Sequence, residues 1–294
     1  MKIGIDIGGS HVAIGLVDSN GSIVQKEEFF IKDKANIKEK IEEFITEKVI
    51  QISLINNIES IGIAVPGTVS ENKILKSVNL GFENYDLAGN LEKVLKMPVK
   101  LKNDAKCAAL AEHKYGELSN YDNSVFLCLR TGLGAAVIHD GKMLEPDDLP
   151  GFEFSHTIIQ KDGELCNCGK RGCFETYASL KRFKQKISDR FELNTLSGKV
   201  IRQFIEENRE NQMIKEMIKE YVDYLSIGIS NIINIFEPDA ICIGGSFSEY
   251  GKIFFEPLKE TLIQGNLLFN HRNEIIIKYA KLKNDAGIIG AALI

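Results

Sequence analysis

The chain opens on alternating apolar positions. Ile3, Ile5 and Ile7 are followed, past Gly8-Gly9, by Val12, Ile14 and Leu16. A period of two predicts strands. Asp18-Ser19-Asn20-Gly21 is a turn signal, and a third strand is expected over Ile23–Phe30. The period then lengthens. Ile37, Ile41, Phe44, Ile45 and Val49 recur at helical spacing and predict a helix over 34–51. A continuous apolar run, Ile61–Val65, reads as a buried strand ended by Pro66-Gly67. A short strand is expected over 99–102, then an Ala-rich helix with Asn103 as its N-cap and Lys106 among its few polar interruptions.

The same order returns from Ser124. VFLCLRT reads as a strand, TGLG as its turn, and AAVIHDGK as strand, turn and return. Helices are expected over 177–190 and 211–236. A buried strand over 240–243 runs into Gly244-Gly245-Ser246. A helix, a strand over 274–277 and a closing helix from Asp285 complete the pattern. Two α/β halves, each opening on a meander with a Gly-rich first turn, predict two related domains with a cleft between them. The length agrees: 294 residues at roughly 150 per domain make two.

Composition narrows the class. Hydrophobic residues make up 44% and charged residues 26%, as in an ordinary soluble domain. With 36 Lys+Arg against 41 Asp+Glu the formal net charge is -5, so nucleic acid is not an expected partner. MKIGIDIGG lacks the pattern of a signal peptide, and no run of about 18 apolar residues occurs. No membrane association and a cytoplasmic location are expected.

Of six cysteines, Cys107, Cys128 and Cys242 stand alone in apolar surroundings and read as buried thiols. The others cluster as Cys166-Asn-Cys168-Gly-Lys-Arg-Gly-Cys173. In a reducing compartment such spacing points to a metal. Gly169 and Gly172 let the loop curl so that three thiolates converge. Tetrahedral zinc takes a fourth ligand, for which His156 is the best placed. Three thiolates with a water, or three unligated thiols, are the alternatives.

Three glycine turns carry candidate anion chemistry. In Asp6-Ile7-Gly8-Gly9-Ser10, backbone N–H groups and a hydroxyl can meet phosphate, and Asp6 can hold a hydrated Mg2+. An ordinary hairpin with glycines at positive φ is the alternative, and His11 reads as a turn residue. Thr131-Gly132-Leu133-Gly134 occupies the matching place in the second half. One such turn per domain can clamp a nucleotide. Gly244-Gly245-Ser246 can admit an adenosine to the backbone, or be a plain strand-to-helix turn. Neither GxxxxGK[ST] nor GxGxxG is present. Asp104 sits where a strand meets a helix, a place for a general base or simply a first-turn acid.

Taken in order, these segments resemble the ROK family of sugar kinases and repressors. The match covers DIGGS at Asp6–Ser10, TGLG at Thr131–Gly134, IGGS at Ile243–Ser246 and the CxCGxxGC-apolar-Glu signature from Cys166 to Glu175. The resemblance implies an α/β, two-domain actin-like ATPase (ribonuclease H-like) fold. Its domains are expected at 1–115, with the closing helix about 285–294 packed back on it, and at 116–284, carrying the zinc loop. It implies ATP, Mg2+ and a structural Zn2+ as cofactors. The resemblance makes Asp104 the base that takes the proton from a sugar hydroxyl. Gly67, Asn79, Asn103, Glu153, His156 and Glu175 become sugar contacts, and His156 the fourth zinc ligand. A small-molecule sugar and a second copy of the chain, as a homodimer, are the implied partners.

The family's GExGH element reads Phe152-Glu153-Phe154-Ser155-His156 here, with Phe152 and Ser155 at glycine positions. Arg130 stands where a small residue is common, and Ala135-Ala136 replaces a glycine-rich run. Glucose is the first expected substrate. N-acetylmannosamine, fructose, allose and β-glucosides such as cellobiose are alternatives, the last because Phe152 can stack on a second ring. A repressor is disfavoured, since the first phosphate strand begins at residue 2 and leaves no room for a winged helix-turn-helix.

Overall fold

The computed structural model describes residues 1–31, 33, 35–145, 153–264 and 276–294. They form two compact units, which are described separately. The first comprises Met1–Asn120, Met143–Gly151 and Lys281–Ile294. The second comprises Tyr121–Lys142 and Phe152–Ala280.

The first unit is built on strands β1 (Lys2–Ile7), β2 (His11–Val17), β3 (Ile23–Phe30), β4 (Ile61–Val65) and β8 (Val99–Asn103). Their order is β3-β2-β1-β4-β8, antiparallel from β3 to β1 and parallel from β1 to β8. Burial follows position. Ile3, Ile5, Ile7 and all of β4 are buried, as central strands covered on both faces require. Edge strand β3 alternates half-buried and exposed residues. Helix α1 (Ile37–Ser53) brings Ile37, Ile41, Ile45, Val49 and Ile52 to the core shared with these strands. It starts and ends two or three residues later than its periodicity predicts.

The stretch 68–95 contains more structure than the apolar pattern shows. Strands β5 (Thr68–Ser70), β6 (Lys73–Ser77) and β7 (Phe82–Tyr85) make a separate antiparallel sheet. Its short strands hold too few apolar residues to stand out. Helix α2 (Leu87–Leu95) follows, capped by the Asp86 carboxylate, which accepts from the Gly89 N–H.

Helix α3 (Asp104–Tyr115) and the closing helix, Ala286–Ala291, finish this unit. The closing helix lies directly on the sheet. A Cβ at Gly4 would overlap the Ile288 carbonyl, and one at Gly62 the Ala291 carbonyl. Residues 116–120, 143–145 and 281–284, expected in the second half, group here instead. Glu112, fully buried in α3, ties two of these segments to the helix. Its main-chain carbonyl accepts from the Leu118 N–H at 3.1 Å. Its carboxylate accepts from Glu117 N–H at 2.9 Å and from Leu282 N–H at 2.7 Å. Removing it strands two amide donors, each costing about 1–3 kcal/mol. Glu112→Ala is therefore expected to lose about 2–4 kcal/mol in urea unfolding, and a change below ~1 kcal/mol contradicts this bonding.

The second unit repeats the first sheet. Strands β9 (Ser124–Leu129), β10 (Leu133–His139), β11 (Lys142–Met143), β12 (Ala240–Gly245) and β13 (Ile276–Tyr279) run in the order β11-β10-β9-β12-β13. Again the meander is antiparallel and the last two strands parallel. The helix expected over 177–190 is two helices, α4 (Phe174–Ala178) and α5 (Leu180–Arg190). Ser179 between them is extended, with φ -71° and ψ 140°. Helices α6 (Gly198–Glu207), α7 (Gln212–Phe236), α8 (Phe247–Tyr250) and α9 (Lys252–Gln264) complete the unit. Helix α6 adds an element to the expected pattern, although Val200, Ile201, Phe204 and Ile205 recur at helical spacing; it buries Ile201 and Ile205. No helix among the described residues is long and apolar enough to cross a membrane.

Candidate functional site

In the first unit the chemistry gathers at the ends of β1, β4 and β8. Asp6 is buried near the end of β1, its carboxylate against Gly287. The hairpin beyond it closes by Gly8 N–H to the His11 carbonyl at 2.8 Å. Neither Gly8 nor Gly9 has a left-handed φ. That corrects the positive-φ alternative; a Cβ would crowd His11 at 3.3 Å at Gly8 and meet only an ordinary contact at Gly9. Ser10 is exposed, and its hydroxyl lies 3.4 Å from His11 Nδ1. A Cβ at Gly9 would stand 3.7 Å from the Asn79 Cβ, so the turn and the Asn79 segment are neighbours.

Asn103 caps α3 as its sequence position predicts. Its Oδ1 accepts from Ala105 N–H at 3.0 Å and Lys106 N–H at 3.2 Å. Its amide donates to the Gly67 carbonyl at 2.9 Å. Gly67 has φ 106°, and a Cβ there would overlap the Lys76 carbonyl. Gly67, Asn103 and Asp104 thus form one fixed group. Asp104 is the first residue of α3, half-buried, and its Oδ1 also meets the Ala105 N–H at 3.0 Å. Sequence reasoning missed the charges beside it. Glu145 binds Lys102 at 2.7 Å and Lys106 at 3.3 Å. Burial pushes the Glu145 carboxyl up, but the two lysines outweigh it and hold it below the usual range. Long-range pairing of this kind leaves no local sequence signal.

In the second unit the TGLG turn joins β9 to β10. Arg130 N–H donates to the Gly132 carbonyl at 3.0 Å. Thr131 is exposed, while Gly134 pairs with Cys128 inside the ladder. Glu175, in the first turn of α4, accepts from Leu133 N–H at 3.0 Å. Gly244 and Gly245 end β12, and Ser246 precedes α8. Gly245 has φ 72°, the conformation expected of a close turn. Glu153 is exposed and opens the short turn Phe154–His156, its carbonyl accepting from His156 N–H at 3.0 Å. Phe152 lies outside the described residues.

His156, Cys166, Cys168 and Cys173 converge, with ligand atoms all within 4.8 Å of one another. The loop is folded for this. Cys166 N–H donates to the Lys170 carbonyl at 2.8 Å, and Gly169 and Gly172 take φ 91° and 77°. The Cys168 and Cys173 sulfurs are 3.6 Å apart, and Cys166 Sγ is 3.7 Å from His156 Nδ1. Zinc–sulfur bonds of about 2.3 Å in a tetrahedron set the sulfurs roughly 3.8 Å apart, so the donor set fits zinc. Burial, then hydrogen bonds with the Cys168 and Cys166 thiols, push the Cys173 thiol up to about 12. At Cys168 burial is outweighed by the Lys170 N–H and the two neighbouring thiols, and the thiol falls below its usual value.

The ROK family profile matches residues 2–294. The chain belongs to the ROK family. A glucokinase of Thermotoga maritima is 32% identical, over 99% of this chain and 96% of its own. A xylose repressor of Caldicellulosiruptor bescii is 29% identical, over 98% of this chain and 76% of its own. Among solved structures, the ROK glucokinase of Streptomyces griseus in complex with glucose and AMPPNP matches with a TM-score of 0.84. It is 26% identical and covers 99% of this chain and 97% of its own. This ROK chain has the two-domain actin-like fold, as its sequence motifs imply. Its relatives include both sugar kinases and repressors.

Proposed function

We propose that this ROK protein is an ATP-dependent hexose kinase, with glucose O6 as the first choice of acceptor. One observation carries the reading. Asp104 is presented at the start of α3 beside Asn103, whose Oδ1 accepts from two helix N–H groups and whose Nδ2 donates to the Gly67 carbonyl, so a carboxylate lies next to a fixed amide that supports the reading of Asn103 as a sugar contact. A sugar hydroxyl placed there attacks the γ-phosphorus in line. Its oxygen–phosphorus bond forms, the bond to the bridging oxygen of ADP breaks, and Asp104 receives the hydroxyl proton.

Gly67, Asn79, Asn103, Glu153, His156 and Glu175 are the proposed hydroxyl contacts. Gly8, Gly9, Ser10, Thr131, Gly132 and Gly134 are the proposed phosphate contacts, and Gly244, Gly245 and Ser246 the adenosine turn. Mg2+ entering with ATP offsets phosphate charge, and Asp6 would hold it through water. Zinc on His156, Cys166, Cys168 and Cys173 is structural in this scheme. It shapes the loop leading to Glu175 and activates no water.

The repressor alternative shares the sugar site but needs no base. ADP release from MgATP across glucose, mannose, fructose, allose, N-acetylmannosamine, N-acetylglucosamine and cellobiose separates the two. One sugar is expected to dominate. Hexose binding with no ADP from any of them would favour the repressor class. Light scattering tests the proposed homodimer.

A further inference from the structure

Glu175 has an unusual neighbour for a residue read as a sugar contact: the second glycine turn. Leu133 N–H donates to its Oε2 at 3.0 Å. A Cβ at Gly132 would stand 2.6 Å from that same oxygen. Two independent features of the turn, an amide donor and a missing side chain, therefore address one carboxylate oxygen.

Both partners are held from behind. Phe174 and Thr176, on either side of Glu175, are buried. The Phe174 ring fills the space left by Gly228 of α7. One turn further, the Tyr177 hydroxyl accepts from Glu164 N–H at 2.7 Å. On the other side, Arg130 N–H bonds the Gly132 carbonyl, and Lys181 N–H bonds the Arg130 carbonyl at 3.3 Å. Neither α4 nor the turn can retreat without breaking these contacts.

We infer that Gly132 and the Leu133 amide are positioning groups for Glu175, and through it for the hexose, rather than groups that serve phosphate alone. The inference rests on the proposal that Glu175 grips sugar hydroxyls. A carboxylate offers about four lone-pair sites. One is spent on Leu133, which fixes the rotamer, and the others remain for hydroxyls. A side chain already fixed loses less freedom when the ligand arrives.

The test is Gly132→Ala. The φ at Gly132 is not left-handed, so alanine can take this backbone and its methyl group displaces the carboxylate. Calorimetric titration of the nucleotide-free protein with glucose and the other hexoses reads the effect. Affinity for the preferred hexose is expected to fall on the order of tenfold. In steady state the hexose KM should rise by a similar factor, and the affinity loss read without nucleotide separates this from any change in the MgATP KM at a turn also proposed to meet phosphate. Amide exchange at Leu133, with no sugar present, should quicken in both Gly132→Ala and Glu175→Ala. Unchanged hexose affinity, an effect confined to MgATP, or unaltered Leu133 exchange overturns the inference and leaves the kinase reading standing. Wild-type protein that binds no hexose overturns both.

Discussion

Asp104→Asn is expected to lower kcat by about a thousandfold, within the range that general bases contribute. Asparagine keeps the shape and the Oδ1 that meets the Ala105 N–H, so α3 and its cap stay intact. What it loses is the ability to take a proton. Hexose KM should therefore stay within roughly threefold, because the proton transfer lost is an interaction made only in the transition state. A thousandfold loss is ~4 kcal/mol of transition-state stabilisation, at 1.36 kcal/mol per tenfold. Stopped assays of ADP at saturating hexose check it. A variant retaining more than about a tenth of wild-type kcat would remove Asp104 from the general-base range.

The second large effect is expected on removing zinc. Cys173 is both a candidate ligand and the residue at the N-cap of α4, which carries Glu175. Structural zinc supplies about 10–16 kcal/mol of apparent binding energy in small peptides. Without it, His156, Cys166, Cys168 and Cys173 lose the ion that would hold their ligand atoms together. Chelation should release one zinc per chain, speed amide exchange over 157–175 and cut hexose-dependent turnover more than tenfold, while far-ultraviolet circular dichroism changes little. Restored activity on adding zinc back would complete the result. Full activity in protein shown to hold no zinc would exclude the structural role.

Much of this was legible in the chain because the signals are local. The alternation at Ile3, Ile5 and Ile7 reports a strand that neighbours on both sides bury. The CxCGxxGC spacing reports a loop whose glycines adopt φ values that other residues resist. Asn103 before an Ala-rich run reports a cap. What stayed hidden is non-local or weakly apolar. The sheet β5-β6-β7 is built from three-, five- and four-residue strands, too short for a clear period. Glu112 reads as an ordinary helical acid until Leu282, 170 positions away, is seen to need its oxygen. Glu145 reads as a surface acid until Lys102 and Lys106 are found on it. The break at Ser179 interrupts no apolar pattern, because Ala178 and Leu180 on either side are both buried.

The most direct measurement is the rate of ADP formation from MgATP by zinc-loaded wild-type protein, with and without glucose. The account expects little hydrolysis alone, a large stimulation by glucose or another hexose of the panel, and one hexose phosphate formed per ADP. ADP formation that no hexose changes, in protein shown to be folded and zinc-loaded, would contradict it.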